Sequence, residues 1–249
     1  MGRVFKISSK VLTVLFTISV FFITGFIAIM IPSNSKAFYR WQFQKEDDYG
    51  YTALEYVKLE RAYATDLSTI EYLSELDQDG LVELMMHTMR YCLFLEDDLN
   101  PEVNGEKINL FRQDEISHMK DVKGIFGGGV VLVVLSLIVV AVSIPLGLVK
   151  KRGYYENCRK VPLYTIIGIG CFFVIVGLFA IFAFDFAFEI FHRIFFSGNY
   201  AFENGVMIGM IGGIFYDLAP IIIGLWLVLF GGFSVGLYYY HKWLKKIFE

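Results

Sequence analysis

Hydrophobic residues along this chain are gathered into four long blocks, and polar segments separate them. Each block exceeds the roughly 20 residues that a helix needs to cross about 30 Å of hydrocarbon. The blocks cover residues 11–31, 124–149, 161–184 and 219–240. The pattern therefore predicts a mainly α-helical, polytopic membrane protein with four transmembrane helices.

The amino-acid composition agrees with this pattern. Of 249 residues, 56% are hydrophobic and 25 are phenylalanine, and the mean hydropathy is +0.55. A soluble protein of this length does not need so much apolar material for its core. A cleaved signal peptide is the alternative for the first block. Its apolar run is longer than the roughly 7–15 residues of a signal sequence, which favours a retained span.

Basic residues set the predicted orientation. Clusters of lysine and arginine precede the first block, occupy residues 150–160 and follow the fourth block in residues 241–249. With four spans these clusters lie on one side, which the positive-inside rule makes the cytoplasm. Residues 32–123 are then extracytoplasmic, and they carry 19 acidic and 10 basic residues. This balance argues against a nucleic-acid partner.

The extracytoplasmic segment is predicted to fold as a largely helical cap domain. Helical patterns cover residues 52–76 and the stretch from residue 79 to about residue 95. Asn104–Gly105 predicts a tight hairpin turn. The aromatic stretch of residues 38–43 is interpreted as a short strand or as an aromatic belt at the membrane. A last helix is expected to start near Gln113 and to run directly into the second span.

The third block is predicted to span the membrane over residues 161–190, with its outer end emerging. Residues 191–218 then form an outer loop with an apolar stretch that is too short to cross. Gly205, Gly209 and Gly213 recur at every fourth position, so a helix here would have a small, flat face. We interpret the stretch as an interfacial or re-entrant helix packed against a neighbour. A plain loop is the alternative.

Three ionisable residues interrupt the aromatic sequence FAFDFAFEIFHRIFF. Asp185, Glu189 and His192 are spaced so that a helix aligns them on one face. A count from the start of the third block at about 1.5 Å per residue places His192 in the outer headgroup layer. Charged groups at membrane depth are costly and usually face a cavity or a partner.

His118 is predicted at the same level. It lies about six residues before the second block, roughly 9 Å above the hydrocarbon edge if the segment is helical. Glu115 precedes it by one turn and Asp121 follows it by one turn. Carboxylates in such positions fix the tautomer of an imidazole and raise its basicity. Two histidines at the same membrane depth favour a catalytic role. The alternative is that both residues are polar only because this end of each helix is in contact with water.

Other residues are poorer candidates. Ser234 lies in a G-x-S-x-G sequence, but its apolar block lacks the strand–turn–helix context of a serine nucleophile. We interpret Gly232 and Gly236 as helix-packing positions. His87 is predicted to be structural, and His241 to anchor the chain at the inner membrane surface. The cysteines lie in different predicted compartments, so no disulfide is expected.

Two sequence blocks carry a family resemblance. The first is Glu115-Ile-Ser-His118-Met-Lys-Asp121, which precedes a membrane span. The second is Asp185 with Phe191-His192-Arg-Ile-Phe195-Phe196. Together they resemble the lipoprotein intramolecular transacylase (Lit) family of Gram-positive bacterial membrane proteins. The family pattern continues with an asparagine and a tryptophan, whereas here the asparagine is displaced to Asn199 and no tryptophan stands beside it.

The resemblance implies an acyltransferase of the bacterial cell membrane that needs no cofactor or metal. Its reaction moves the sn-2 acyl chain of the S-diacylglyceryl cysteine of a lipoprotein to the α-amino group of that cysteine. The product is an N-acyl lyso-form lipoprotein. Two histidines are essential in the family, and by motif they are His118 and His192. The expected partners are diacylglyceryl-modified lipoproteins and membrane lipids.

The predicted site comprises two catalytic histidines, four supporting carboxylates and two substrate-binding residues. His192 is assigned as the base and His118 as the acid or oxyanion partner, and the reverse assignment is equally compatible with the sequence. The supporting carboxylates are Glu115, Asp121, Asp185 and Glu189. The substrate-binding residues are Arg193 and Asn199.

Two other functions fit these residues. One is a membrane metalloenzyme, because His118, Asp121, Glu189 and His192 are zinc ligands by type, although their spacing does not require a metal. Metal analysis would separate it from the transacylase. The other is a non-catalytic envelope protein whose outer domain binds a partner. Inactivity toward lipoproteins would favour that function.

Overall fold

The computed structural model describes residues 2–149, 161–196, 202 and 204–248, which are mainly helical. The chain divides into two compact units. We call one the polar unit, which consists of Met30–Gly128 and Phe191–Ile221. The other is the apolar unit, which consists of Met1–Ile29, Gly129–Ile190 and Ile222–Glu249.

The helices of the described residues are numbered in chain order. They are α1 (Gly2–Ser33), α2 (Lys36–Gln42), α3 (Ala53–Leu59), α4 (Leu67–Glu75), α5 (Gln78–Cys92), α6 (Gln113–Val149), α7 (Val161–Phe182), α8 (Phe184–Phe195), α9 (Val206–Ile211) and α10 (Ile214–Phe248). A 3₁₀ turn, Glu60–Tyr63, follows α3. Two short strands, β1 (Glu102–Val103) and β2 (Glu106–Lys107), pair antiparallel.

Polar side chains start the short helices of the polar unit. Ser35, Thr52, Asp66 and Asp77 each accept a hydrogen bond from a backbone N–H in the first turn of the following helix. Such caps satisfy donors that have no partner inside the helix. The helical pattern predicted over residues 52–76 is therefore not one helix. It is interrupted after α3 and begins again after Asp66.

The strand predicted for residues 38–43 is wrong, because this stretch forms most of α2 and its C-terminal cap. Tyr39 and Phe43 lie one turn apart, their stacked rings are 5.9 Å apart between centroids, and both are buried. The Tyr39 hydroxyl donates to the carbonyl oxygen of Ser33 at 2.8 Å. These aromatic residues thus belong to the core of the polar unit.

Helix α5 supplies the largest share of that core. It ends at Cys92 rather than near residue 95. Its side chains share one hydrophobic cluster with residues of α2, α3, α4, α6 and α9. The buried residues of α5 are Leu81, Val82, Leu84, Met85, Thr88, Met89, Tyr91 and Cys92.

The hairpin predicted at Asn104–Gly105 is confirmed, since this pair connects β1 to β2. Asn104 has a φ of 53° and Gly105 a φ of 82°. Positive values at both positions are what a type I′ turn requires. After the hairpin, α6 begins at Gln113 and continues to Val149 without interruption, as predicted.

The short helix predicted after Gly205 is α9, which ends at Ile211, and α10 begins at Ile214. Gly209 lies against α3. A methyl group at Gly209 would stand 3.1 Å from Cγ2 and 3.2 Å from the backbone nitrogen of Val57. Gly209 therefore packs on a neighbouring helix, but the predicted face of three glycines is wrong, because Gly205 precedes α9 and Gly213 follows it. The interfacial or re-entrant position of α9 stays a prediction.

In the apolar unit, aromatic side chains of α1 contact those of α10. The Phe21 ring is 5.1 Å from that of Trp226 and 5.8 Å from that of Phe230, between centroids. Thr17 and Thr24 are buried on α1, and each hydroxyl donates to a carbonyl oxygen one turn earlier. The helix thereby satisfies its own polar side chains.

The described residues contain three helices that are long and apolar enough to cross a membrane, over Lys10–Ser33, Gln113–Ile144 and Asp217–Gly236. Helix α7 coincides with the third hydrophobic block, and Ala183 separates it from α8. The single helix predicted over residues 161–190 is thus interrupted. The four-span count and the domain bounds stay predictions, and the predicted inner loop of residues 150–160 lies outside the described residues.

Candidate active site

The polar unit brings His118 and His192 together, although they belong to different helices. His118 lies in the second turn of α6, and His192 lies in the last turn of α8. Their ring centroids are 6.2 Å apart, and the ring planes differ by 18°. The two histidines that sequence motifs single out are thus neighbours in space.

Aromatic rings surround the two imidazoles. The Phe196 ring stacks on both, with its centroid 4.5 Å from that of His118 and 4.7 Å from that of His192. Phe202 meets His118 edge-on at 5.3 Å, and Phe191 meets His192 edge-on at 5.3 Å. Two basic groups therefore share an aromatic environment, in which electrostatic interactions are stronger than in water.

The two imidazoles are unequally buried. His192 is only 8% exposed, whereas His118 is half-buried. Nδ1 of His118 is nevertheless buried, and none of the described residues gives it a hydrogen bond. A buried polar atom without a hydrogen-bond partner is uncommon in proteins. The site thus keeps hydrogen-bonding capacity on a basic side chain.

Glu115 has a structural function that the sequence analysis did not predict. Its side chain is completely buried. Its carboxylate accepts hydrogen bonds from the backbone N–H of Arg112 at 2.9 Å and of Met207 at 2.8 Å. It thereby connects the start of α6 to the first turn of α9. Gly205 has a φ of 134° and no space for a side chain, because a methyl group there would clash with this carboxylate.

Two further contacts hold the same segment. The guanidinium of Arg112 donates to the side-chain oxygen and to the carbonyl oxygen of Asn204. The backbone N–H of Gly205 donates to Glu60 at 3.0 Å. Sequence reasoning missed both Arg112 and Glu60, because their partners lie far along the chain and no local pattern marks them.

The remaining predicted site residues are less fully described. Asp121 is half-buried on α6, and Glu189 is half-buried on α8. Arg193 is exposed on α8. The side chain of Asp185 and the whole of Asn199 lie outside the described part of the chain. The roles assigned to all of these residues stay predictions.

Neither Ser234 nor Cys92 has the surroundings of a nucleophile. Ser234 lies inside α10, where its hydroxyl donates to the carbonyl oxygen of Phe230 at 2.8 Å. Cys92 is buried in the core, and this burial raises the pKa of its thiol to about 12, so it is protonated at neutral pH. A methyl group on Gly232 or Gly236 would have no described atom within 4 Å beyond its own helix, and the packing predicted through these two glycines stays a prediction.

The residues considered for a zinc site do not form one in the described part of the chain. There, no three histidine, cysteine or acidic side chains lie close enough together to hold a metal ion.

Comparison with solved structures defines the class of this protein. The fold is that of the membrane-integral lipoprotein intramolecular transacylase Lit from Bacillus cereus. A structure of a variant in which one histidine is replaced by arginine has a TM-score of 0.60 at 18% identity, over 96% of this chain and 92% of that chain. Another structure of the same protein has a TM-score of 0.59 at 18% identity, over 96% and 98% of the two chains.

Sequence comparison identifies the family. The model of the lipoprotein intramolecular transacylase Lit family matches residues 13–203, which include both histidines. The chain belongs to this family, as its two sequence blocks predicted. It is an acyltransferase that acts on lipoproteins and a multi-pass membrane protein. Among curated proteins no match to the chain is found.

Proposed function

We propose that this transacylase moves the sn-2 acyl chain of an S-diacylglyceryl cysteine to the α-amino group of the same cysteine, with His118 and His192 as the proton-transfer groups. The product is an N-acyl lyso-form lipoprotein. The observation that carries the proposal is the neighbouring position of the two imidazoles, 6.2 Å apart between centroids, in aromatic surroundings.

The reaction requires no nucleophile from the enzyme. The amine nitrogen attacks the ester carbonyl carbon, a C–N bond forms, and the bond from that carbon to the glyceryl oxygen breaks. One proton leaves the amine, and one proton is gained by the departing oxygen. Two positioned imidazoles are suited to these two transfers. Because amine and ester belong to one molecule, their effective concentration is already high.

In this proposal His192 is the base and His118 the acid or oxyanion partner. Glu189 lies one turn before His192, where a carboxylate stabilises an imidazolium. Asp185 continues the same predicted face, and Asp121 has the corresponding position after His118. The reverse assignment of the two histidines would give the same product.

Aromatic residues have two uses in the proposed site. Phe196 and Phe202 lie against the imidazoles, where they limit the access of water that would hydrolyse the ester. Their rings also match the apolar acyl chain. Arg193 and Asn199 are proposed to contact the lipid headgroup or the carbonyl oxygen that becomes negatively charged.

We further propose that the four hydrophobic blocks are four spans, with both termini in the cytoplasm and the histidines at the extracellular face. A cysteine in place of Asn104 is expected to react with a membrane-impermeant thiol reagent in intact cells, and one in place of Asn157 only after lysis. Protein without an added cysteine is the control. Labelling of Asn157→Cys in intact cells would show that the orientation is reversed.

Mass spectrometry of a lipoprotein N-terminus tests the reaction itself. The lipoprotein is isolated from cells with and without the enzyme, using acyl chains that differ between sn-1 and sn-2. We expect the enzyme to produce a species in which the sn-2 chain is on nitrogen and only the sn-1 chain remains on glycerol. Unchanged diacylglyceryl cysteine beside well-expressed enzyme would refute the proposal.

A further inference from the structure

The polar unit contains a cavity of about 660 Å³ that the proposed proton transfers do not use. This volume is typical of ligand-binding cavities. Its walls come from the end of α2, the loop that follows it, α3 with the 3₁₀ turn, and several residues of the stretch from Asn204 to Asp217. Neither His118 nor His192 lines it.

The walls of this cavity are acidic. Four carboxylates face one ammonium group, and that ammonium group is already paired, because Nζ of Lys45 lies 2.8 Å from Asp217. A ligand with several negative charges would be repelled. The charged wall residues are Lys45, Glu46, Asp47, Glu60 and Asp217.

Asp47 is a wall residue of this cavity, and its side chain is negatively charged at neutral pH. The Tyr56 hydroxyl and the backbone N–H of Tyr51 donate hydrogen bonds to it and lower the pKa of its carboxyl group. Tyr51, Tyr56 and Tyr63 themselves line the cavity, and Tyr51 and Tyr63 are exposed. The rim thus offers aromatic surface beside negative charge.

Gln42 adds an acceptor that lacks a donor. It lines the cavity and is only 7% exposed. Its side-chain amide donates to Asp217, which orients the group. Its Oε1 atom receives no hydrogen bond from any described residue. This oxygen is itself buried, so the charges of the wall rather than Gln42 select the ligand. They favour a ligand with neutral or positive charge.

The cavity is connected to the helix that carries His118. Asn204 and Gly205 line it, and the same two residues are held against Arg112 and Glu115 of α6. Six residues of helix separate Arg112 from His118, which is about 9 Å. An extended polypeptide covers that distance with about three residues.

We propose that this cavity binds the polypeptide segment that directly follows the lipidated cysteine of the substrate, in extended conformation and with neutral or basic side chains. The proposal rests on the proposed function, which places the cysteine at the two histidines. Among the described residues no three acidic groups lie close enough together to share one metal ion. The carboxylates are instead distributed along the cavity wall. This arrangement suits a polypeptide with several N–H donors better than a single cation.

The experiment measures binding and turnover separately. Three S-diacylglyceryl lipopeptides carry lysine, serine or glutamate at positions 2 to 5 after the cysteine and a dye at the C-terminus. Affinity is measured by fluorescence anisotropy with full-length His192→Ala protein in zwitterionic nanodiscs, in which the lipid does not attract charged peptides. We expect the lysine peptide to bind about tenfold more tightly than the glutamate peptide, since each exposed ion pair contributes up to about fivefold.

A charge reversal at the wall locates the effect. Glu46 is exposed and its side chain has no described partner, so Glu46→Lys is expected to reduce the lysine-to-glutamate ratio about fivefold. Glu75→Lys on α4 is the control, because it changes the net charge of the protein by the same amount at a position outside the cavity. It is expected to leave the lysine-to-glutamate ratio unchanged.

Three outcomes would overturn the inference: equal affinities for the three peptides, a ratio that survives Glu46→Lys, or an equal loss of the ratio in Glu75→Lys. Turnover by the wild-type enzyme is followed by mass spectrometry. A failure to form lyso-form product would refute the proposed function, whereas the binding ratios decide the peptide site independently.

Discussion

The surroundings of His87 differ from those of His118, although both histidines belong to the polar unit. Nε2 of His87 lies 3.0 Å from the carbonyl oxygen of Asp98, and Nδ1 lies 3.9 Å from Glu96. Both ring nitrogens therefore face the loop after α5. His118 lies instead beside a second imidazole and two phenyl rings, and no described residue gives its Nδ1 a hydrogen bond. This difference is what the proposed function and the structural role predicted for His87 rest on.

The largest effect expected from this comparison is on the histidine pair. His118→Ala or His192→Ala alone should reduce formation of the lyso-form lipoprotein by on the order of 10²–10⁴-fold, because each removes a positioned proton-transfer group. The double variant should be little worse, since groups that act as a unit are not additive. Mass spectrometry of the lipoprotein, normalised to enzyme expression, provides the measurement.

His87→Ala is the matched control for this pair and should retain near-normal turnover. If His192→Ala also retained it in folded protein, the two kinds of histidine would not differ and the proposed mechanism would be wrong.

The second-largest effect is expected for Glu115, which anchors the start of α9 to the start of α6. Glu115→Ala leaves the backbone N–H groups of Arg112 and Met207 without their acceptor, at a cost of about 1–3 kcal/mol for each buried donor. We expect a lower unfolding temperature and faster hydrogen exchange over residues 204–211. Glu115→Gln keeps one acceptor oxygen and should lose less.

Glu75→Gln, at an exposed position of α4, controls for the loss of a charge. Unchanged exchange over residues 204–211 in Glu115→Ala would show that this carboxylate does not anchor the segment.

A smaller effect is expected for His87 itself. His87→Ala removes the contact with the Asp98 carbonyl oxygen and should lower the free energy of unfolding by about 0.5–1.5 kcal/mol. Thermal unfolding in detergent measures this change. A large loss of activity at unchanged stability would contradict the structural assignment of His87.

The smallest effect is expected for Ser234→Ala. Among the described residues, the hydroxyl of Ser234 bonds only to its own helix, so activity should stay within about twofold to threefold of the wild type. Complete inactivity of well-expressed protein would point to an acyl-enzyme on this serine and would remove the need for direct transfer between amine and ester.

Features that depend on neighbouring residues were largely predictable. Asn104–Gly105 was recognised as a turn because few residues adopt positive φ at two successive positions. Thr52 and Glu55 form a capping box, which the sequence analysis did not identify although a threonine three residues before a glutamate signals one. The strand interpretation of residues 38–43 was wrong, because aromatic residues suit strands and buried helices alike and only packing in the core decides between them. The alternative, an aromatic belt at the membrane, stays a prediction.

Sequence alone determined the hydrophobic blocks, the helical character and, through two motifs, the family and its histidines. These properties follow from local composition and from the spacing of residues that are close together in the sequence. Tertiary structure decided that His118 and His192 lie side by side, that Nδ1 of His118 has no hydrogen-bond partner among the described residues, and that Glu115 accepts a hydrogen bond from the backbone N–H of Met207. Each of these contacts joins residues that are far apart in the sequence. The free-energy cost of burying a polar group depends on whether such a distant residue provides a hydrogen-bond partner.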